Sequence, residues 1–258
     1  MITYPNCKIN LGLHVVGNRP DGYHDLETIF LPVNYLCDEL EITDTQATSP
    51  EMIQDGIVLD NAPDDNLCMK AWRLMHDEFD ITPVGIRLRK NIPFGAGLGG
   101  GSSDAAFTLK MLNEMFSLSL TDIQLEQRAA RIGADCAFFI KNQPAYATGI
   151  GDKLSPVEWQ LASGEWRVII EIPEGEHVST KEAYGGLNKE LFGAKRPDLR
   201  EAIKAPIEEW KNLIVNDFEV SIFPSHPAIE ALKNDMYRRG ALYASMTGSG
   251  AAVFGIFR

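Results

Sequence analysis

Across residues 95–101 five of seven positions are glycine, and Ser102, Ser103 and Asp104 follow directly. Glycines at this density open positive φ values and expose main-chain N–H groups. A helix expected to start near Ser102 aims unpaired amides and its positive dipole end at the same place. The chemistry of such a segment is anion binding, with a nucleotide's phosphates as the fitting anion. Gly95-x-Gly97-x-x-Gly100 matches the dinucleotide-binding spacing, but that motif needs a short βαβ unit with an acid about 20 residues on. Residues 113–119 follow the helix without such a strand, and Gly-Gly-Gly-Ser-Ser stands where a Walker loop needs Gly-Lys-Ser/Thr. A flexible tether fits poorly beside Pro93, Leu98 and the Ala-rich helical segment at 104–116.

Three other places carry reactive side chains. Lys8 and Asn10 share one face of an alternating segment, a pattern that also suits a solvated strand face. Asp135 lies between a helix end and the apolar run 136–140, where a carboxylate is costly to bury without a partner. Tyr23-His24 follows a turn cluster at 18–22, and a packed aromatic with a satisfied imidazole is as good a reading as a ligand contact.

The elements that must position these residues follow from periodicity. Residues 8–16 alternate with Ile9, Leu11, Leu13 and Val15 on one side, which predicts a half-buried strand. Strands are expected at 26–33, 39–42, 84–90, 168–172, 241–246 and 251–257, with a polar, variable stretch at 43–54. A helix capped by Asp64-Asp-Asn66 carries Leu67, Ala71, Leu74 and Met75 at helical spacing, with Met69 and Trp72 assigned to the core. Capping boxes at Thr121-Gln124 and Ser179-Glu182 open two further helices, the second bearing Tyr184. Residues 197–211 read as interrupted helix, and 227–239 as an amphipathic helix stopped by Gly240. Residues 145–156 and 159–165 read as the exit from a first domain. The turn Thr247-Gly-Ser-Gly250 is either an ordinary hairpin or a backbone wall against the first glycine segment.

The chain is long enough for two modest domains, each with its own core. Twenty-four Lys and Arg against 36 Asp and Glu give a net charge of −12, which argues against nucleic-acid and anionic-membrane partners. The four cysteines are scattered among apolar neighbours and read as reduced, buried thiols. No signal segment or bilayer-length apolar run is seen, so the expected location is the cytoplasm.

Pro5-Asn-Cys-Lys-Ile-Asn10, the glycine segment 95–106 and Met246-Thr-Gly-Ser-Gly-Ala251 together resemble the galactose, homoserine, mevalonate and phosphomevalonate (GHMP) kinase superfamily. Within it, Arg19-Pro-Asp-Gly-Tyr-His-Asp-Leu-Glu-Thr-Ile-Phe30 and Gly133-Ala-Asp-Cys-Ala-Phe138 resemble the branch whose substrate is carried on cytidine diphosphate. The similarity spans nearly the whole chain and is weakest at 43–54 and 187–211. It implies an α+β fold with an N-terminal nucleotide-binding α/β domain (1–156) that contains a left-handed βαβ element. The second domain (157–258) would be a C-terminal ferredoxin-like α/β sandwich, with the active site in the cleft between the two. It also implies ATP-dependent phosphorylation of the tertiary 2-hydroxyl of a methylerythritol unit, on the non-mevalonate route to isoprenoid precursors.

Carried over by position, the resemblance makes Lys8 and Asp135 the catalytic pair. Asp135 would orient the hydroxyl or accept its proton, and Lys8 would hold that geometry and charge. ATP, arriving as its Mg²⁺ complex, would lie on Gly95, Ala96, Gly97, Leu98, Gly99, Gly100, Gly101, Ser102 and Ser103. Ser102, Ser103 and Asp104 are open alternatives for phosphate or metal contact, and no metal ligand is singled out. Asn66, Leu67 and Lys90 would lie near the adenine, with Lys8, Lys90 and the helix start supplying local positive potential. Asn10 would touch the substrate, whose base would stack between Tyr23 and Tyr184, with His24 reading its polar edge and Thr180 nearby. Tyr184 stands where the family often has Phe, and Cys7 where Ala is more usual; no chemistry is expected from Cys7. A sister kinase for mevalonate, homoserine or a sugar would account for the glycines but not for Tyr23, His24 and Tyr184 together. A catalytically inactive nucleotide-binding regulator of the same fold would not need Lys8 and Asp135.

Overall fold

The computed structural model describes residues 1–57, 65–158, 166–187, 192 and 196–258. Strands β1 (Ile2–Thr3), β2 (Asn6–Asn18) and β3 (His24–Cys37) open the chain. The chain divides into two compact units, and it passes from one to the other within β2 and returns within β3.

The first unit comprises Met1–Lys8, Pro32–Phe94 and Gly99–Gln143. Its sheet has the order β1-β4-β6-β5, with β4 (Glu39–Asp44), β5 (Glu51–Gly56) and β6 (Val84–Lys90). β6 pairs antiparallel with β4, Leu88 opposite Leu40 and Ile86 opposite Ile42, and parallel with β5. The helix α1 (Leu67–Phe79) makes the crossover that a parallel pair requires, so β5, α1 and β6 form a βαβ unit. In β6 Val84, Ile86 and Leu88 point inward while Arg87 and Arg89 face solvent, as the alternation predicts. Burying each such aliphatic side chain is worth about 1.5–3 kcal/mol.

Asn66 caps α1, its side chain accepting from the Cys68 amide, and Met69 and Trp72 are core as expected. Of the four apolar positions read on this helix only Ala71 and Met75 are fully buried, because the inner face is turned toward Cys68, Met69 and Trp72. The remaining helices are α2 (Gly100–Met115), α3 (Asp122–Ile132), which opens with the reciprocal Thr121/Gln124 capping box, and α4 (Phe138–Lys141).

Two expectations in this unit need correction. Residues 43–54 hold the start of β5, hidden because an edge strand half exposed along its length carries little apolar alternation. The helix α2 begins at Gly100, two residues before the expected start near Ser102, because Gly99 at φ +71° serves as its N-cap and two glycines open its first turn.

The second unit comprises Ile9–Leu31, Gly95–Leu98 and Pro144–Arg258. In it β3 pairs with β7 (Ala145–Thr148), Thr28 opposite Ala147, and β7 with β8 (Lys153–Pro156). A second sheet has the order β10-β11-β9, all antiparallel, from β9 (Arg167–Glu171), β10 (Tyr243–Met246) and β11 (Val253–Phe257). Helices α5 (Thr180–Gly185), α6 (Leu199–Ala202), α7 (Trp210–Leu213), α8 (Phe218–Ile222) and α9 (Pro227–Arg238) complete it. Its core gathers Phe218, Ile222, Ile229, Met236, Met246 and Val253.

Along the chain the segments of the two units alternate, with no single division at residue 156, and within the second unit β3–β7 pairing joins residues 28–30 to 145–147. Part of the expected exit segment, 159–165, and Asp64 of the expected cap lie outside the described residues. β2 also departs from a half-buried strand: Lys8, Asn10 and His14 are buried along with its apolar residues. At the second capping site Ser179 caps α5, while the Glu182 side chain reaches His226 instead of closing the box. Among the described residues no helix is long and apolar enough to cross a membrane.

Candidate active site

In the first unit the buried Lys8 reaches the loop between α3 and α4, where its Nζ stands 3.3 Å from Asp135 Oδ2. An ammonium withdrawn from water needs such a partner. The pair is asymmetric, the lysine side chain 4% exposed and the aspartate 32%, so the carboxylate is its reachable half. The lysine stem packs beneath Gly99: a Cβ there would lie 3.1 Å from Lys8 Cγ and Cε, and 3.1 Å from Phe139 Cζ. Glycine therefore lets α2 begin directly over Lys8. The first intrahelical bond runs from the Ser103 amide to Gly99 O, so the amides of Gly100, Gly101 and Ser102 precede it. An ammonium and a helix N-terminus, both positive, converge here and favour an anion beyond Asp135.

Leu67, at the start of α1, lies against the same helix start, 3.7 Å from where a Gly101 Cβ would be. Asn66 beside it is spent on structure, accepting from the Cys68 amide and donating to Gln54 Oε1. Ser102 contacts Cys136, whose thiol burial pushes up to about 12. Burial likewise pushes the Cys7 thiol up to about 12, in keeping with a purely packing role.

Lys90 has two acidic partners. Its side chain is buried between Asp38 and Asp104, 2.7 Å from Asp104 Oδ2, and both carboxylates are buried as well. Asp38 also accepts the Asn91 and Ile92 amides. The cluster ties β6 to the first turns of α2. Asp104 is committed there and does not present itself to phosphate or metal. Burial pushes its carboxyl up to about 8, against the opposing charge of Lys90 and with the help of Asp38. Ser103 is fully buried too.

In the second unit Gly95 and Gly97 have φ +67° and +76°. A Cβ on Gly97 would fall 2.1 Å from Thr247 O, and one on Gly248 would fall 3.0 Å from Gly97 Cα. The 247–250 turn is thus a backbone wall against the first glycine segment, joined to it by the Ala252 amide donating to Ala96 O at 3.3 Å. Ala96 and Leu98 are buried.

Asn10 is 3% exposed and committed internally. Its Nδ2 donates to Thr28 Oγ1 at 3.0 Å and its amide to Thr247 Oγ1 at 2.9 Å. It braces the wall.

The aromatic residues are brought together differently from a simple sandwich. His24 stacks on Tyr184, ring centroids 4.6 Å apart at 28°, with Phe192 edge-on to His24 and Phe218 edge-on to Tyr184. One face of Tyr184 is therefore occupied by His24. Tyr23 is 61% exposed. Thr180 Oγ1 lies 3.5 Å from Ser249 Oγ, so α5 carries Thr180 to the wall and Tyr184 to the aromatic cluster.

Thr247 and Thr28 stand inside the motifs at 246–251 and 19–30, but nothing local shows Thr247 as a brace or Thr28 as a partner of Asn10; Asn216 and Phe192 carry no local pattern, since their partners are distant in sequence.

Against known families, residues 66–143 match the GHMP kinases N terminal domain and residues 195–258 the GHMP kinases C terminal domain. A relative from Bacteroides fragilis named 4-diphosphocytidyl-2-C-methyl-D-erythritol kinase is 49% identical, covering 100% of this chain and 92% of its own length. One of the same name from Bacteroides thetaiotaomicron is 50% identical with the same coverage, 100% and 92%. A crystal structure titled 4-(cytidine 5'-diphospho)-2C-methyl-D-erythritol kinase superposes with a TM-score of 0.80 at 31% identity, over 99% of this chain and 89% of that one.

Proposed function

We propose, from the premise that this chain belongs to the GHMP kinase family, that it transfers the terminal phosphoryl group of ATP to the 2-hydroxyl of 4-diphosphocytidyl-2-C-methyl-D-erythritol, releasing ADP. It is a small-molecule kinase of the α+β GHMP fold. The observation that carries the reading is the Lys8–Asp135 pair set under the start of α2, in a chain alike over its full length to kinases of this name.

Phosphoryl transfer gains chiefly from positioning and charge stabilisation. The ATP phosphates are assigned to the main chain of residues 95–101 and the first amides of α2. Asp135 orients the acceptor hydroxyl and takes its proton, and Lys8 fixes that carboxylate while adding positive charge beside it. Mg²⁺, arriving on ATP, would neutralise phosphate charge, and Asp135 is the partly exposed carboxylate that could face it. His24 and Tyr184, with Thr180 on the same helix as Tyr184, are assigned to the cytidine end, and the reaction to the cytoplasm.

ADP release measured against 4-diphosphocytidyl-2-C-methyl-D-erythritol, mevalonate, homoserine and galactose tests this. Turnover with the first alone is expected; turnover only with another acceptor, or with none, overturns it.

A further inference from the structure

We infer that Asn216 is a positioning residue for the nucleotide: its side-chain amide pins the 246–248 turn that backs the glycine segment, and so sets where the phosphate-facing main chain lies. The inference rests on the assignment of residues 95–101 to ATP made above.

Asn216 is 2% exposed, and both its side-chain nitrogen and its side-chain oxygen are hydrogen-bonded. The two protons of Nδ2 go to Met246 O at 2.8 Å and Gly248 O at 2.9 Å, while Oδ1 accepts the Phe218 amide at 3.0 Å. The two carbonyls it bridges flank Thr247, the residue whose carbonyl approaches Gly97 most closely and whose hydroxyl takes the Asn10 amide. Glu219, three residues on, holds the same turn from the other side by accepting the Met246 amide at 2.9 Å. Met246 is thereby gripped through both its N–H and its C=O from one short segment of chain.

The chemistry asks for an amide. Two carbonyl acceptors in a dry site need two donors at a fixed spread, and the Phe218 amide needs an acceptor on the same side chain. Aspartate offers acceptors only, and serine can cap Phe218 but cannot span both carbonyls. Because Gly97 and Gly248 meet backbone to backbone, with no side chain to absorb a shift, movement of the turn passes directly to the glycine segment.

A competing route runs through Phe218, whose ring packs edge-on against Tyr184 at 4.8 Å; loss of the cap there would disturb the cytidine end instead. Asn216→Ser keeps an acceptor for Phe218 and removes the bridge, and Asn216→Asp keeps shape and acceptor but removes both donors. Direct titration with a non-hydrolysable ATP analogue, plus separate KM values for ATP and the cytidine substrate, reads the difference at a temperature where near-UV circular dichroism matches the parent. Both variants are expected to bind the analogue ~10-fold more weakly, and to raise the ATP KM in step, while the cytidine-substrate KM stays within ~2-fold. Parent-like analogue binding in a folded variant, or an equal rise in both KM values, overturns the inference. A parent that binds the analogue but phosphorylates none of the four acceptors overturns the functional reading alone, since the binding comparison still decides Asn216. A parent that does not bind the analogue overturns both.

Discussion

Lys8 Nζ stands 3.3 Å from Asp135 Oδ2, the lysine withdrawn from solvent and the aspartate one-third exposed. Charge is thereby presented at the surface by a carboxylate whose partner cannot turn away. Asp135→Asn retains the shape and removes the acceptor for a proton, so kcat is expected to fall by about 10²–10⁴. Binding of an ATP analogue should remain close to the parent, because the glycine segment is untouched. Near-normal ADP release by the variant would remove Asp135 from the chemistry.

Gly97→Ala tests the closeness of the two loops. At φ +76° a side chain is strained, and its Cβ would lie 2.1 Å from Thr247 O, a main-chain atom that cannot rotate aside. The conformation alone costs about 1–3 kcal/mol, with the collision added to it. Urea unfolding should show that loss, accompanied by weakened ATP binding; a variant as stable and as tight as the parent would contradict the backbone contact.

The Asp38–Lys90–Asp104 cluster predicts a pH dependence. Burial raises the Asp104 carboxyl to about 8, so between its ordinary value of 3.8 and about 8 the folded chain holds a proton that the unfolded chain releases. Stability from this group is therefore present at low pH and lost as pH rises across that window. Asp104→Asn removes the slope, and its melting temperature is expected to gain on the parent's between about pH 5 and pH 8. His226, raised by its bonds to Glu176 and Glu182, slopes the same way in both proteins and cancels in the comparison. A difference that stays flat or narrows with rising pH would contradict the assignment.

At the aromatic cluster, His24→Ala removes the ring stacked on Tyr184 and should raise the cytidine-substrate KM by ~3–10-fold, leaving the ATP KM unchanged. Tyr184→Phe keeps the ring and should be nearly silent. Equal effects of His24→Ala on both KM values would sink the assignment of this cluster to the cytidine end.

How much of this was legible in the sequence follows from the range of each interaction. Periodicity revealed β6 and α1, and local side-chain chemistry revealed the caps at Asn66 and Thr121, because those signals sit within a few residues. The edge strand β5 was hidden by its polar residues, and the early start of α2 by glycines that seldom begin a helix. Motifs brought Lys8 and Asp135 into one argument, and the pair is in contact. Nothing local to Lys90 shows its partners Asp38 and Asp104, which lie 52 and 14 residues away and which only the fold brings to it. Likewise nothing local reveals Thr28 and Thr247 as the partners of Asn10.

The most direct test of the central claim is phosphorus NMR of a reaction containing the chain, ATP, Mg²⁺ and 4-diphosphocytidyl-2-C-methyl-D-erythritol. The account predicts a new phosphomonoester resonance on the substrate, appearing in step with ADP while the diphosphate link to cytidine stays intact. ATP consumed only to inorganic phosphate, or a spectrum that does not change, would contradict it.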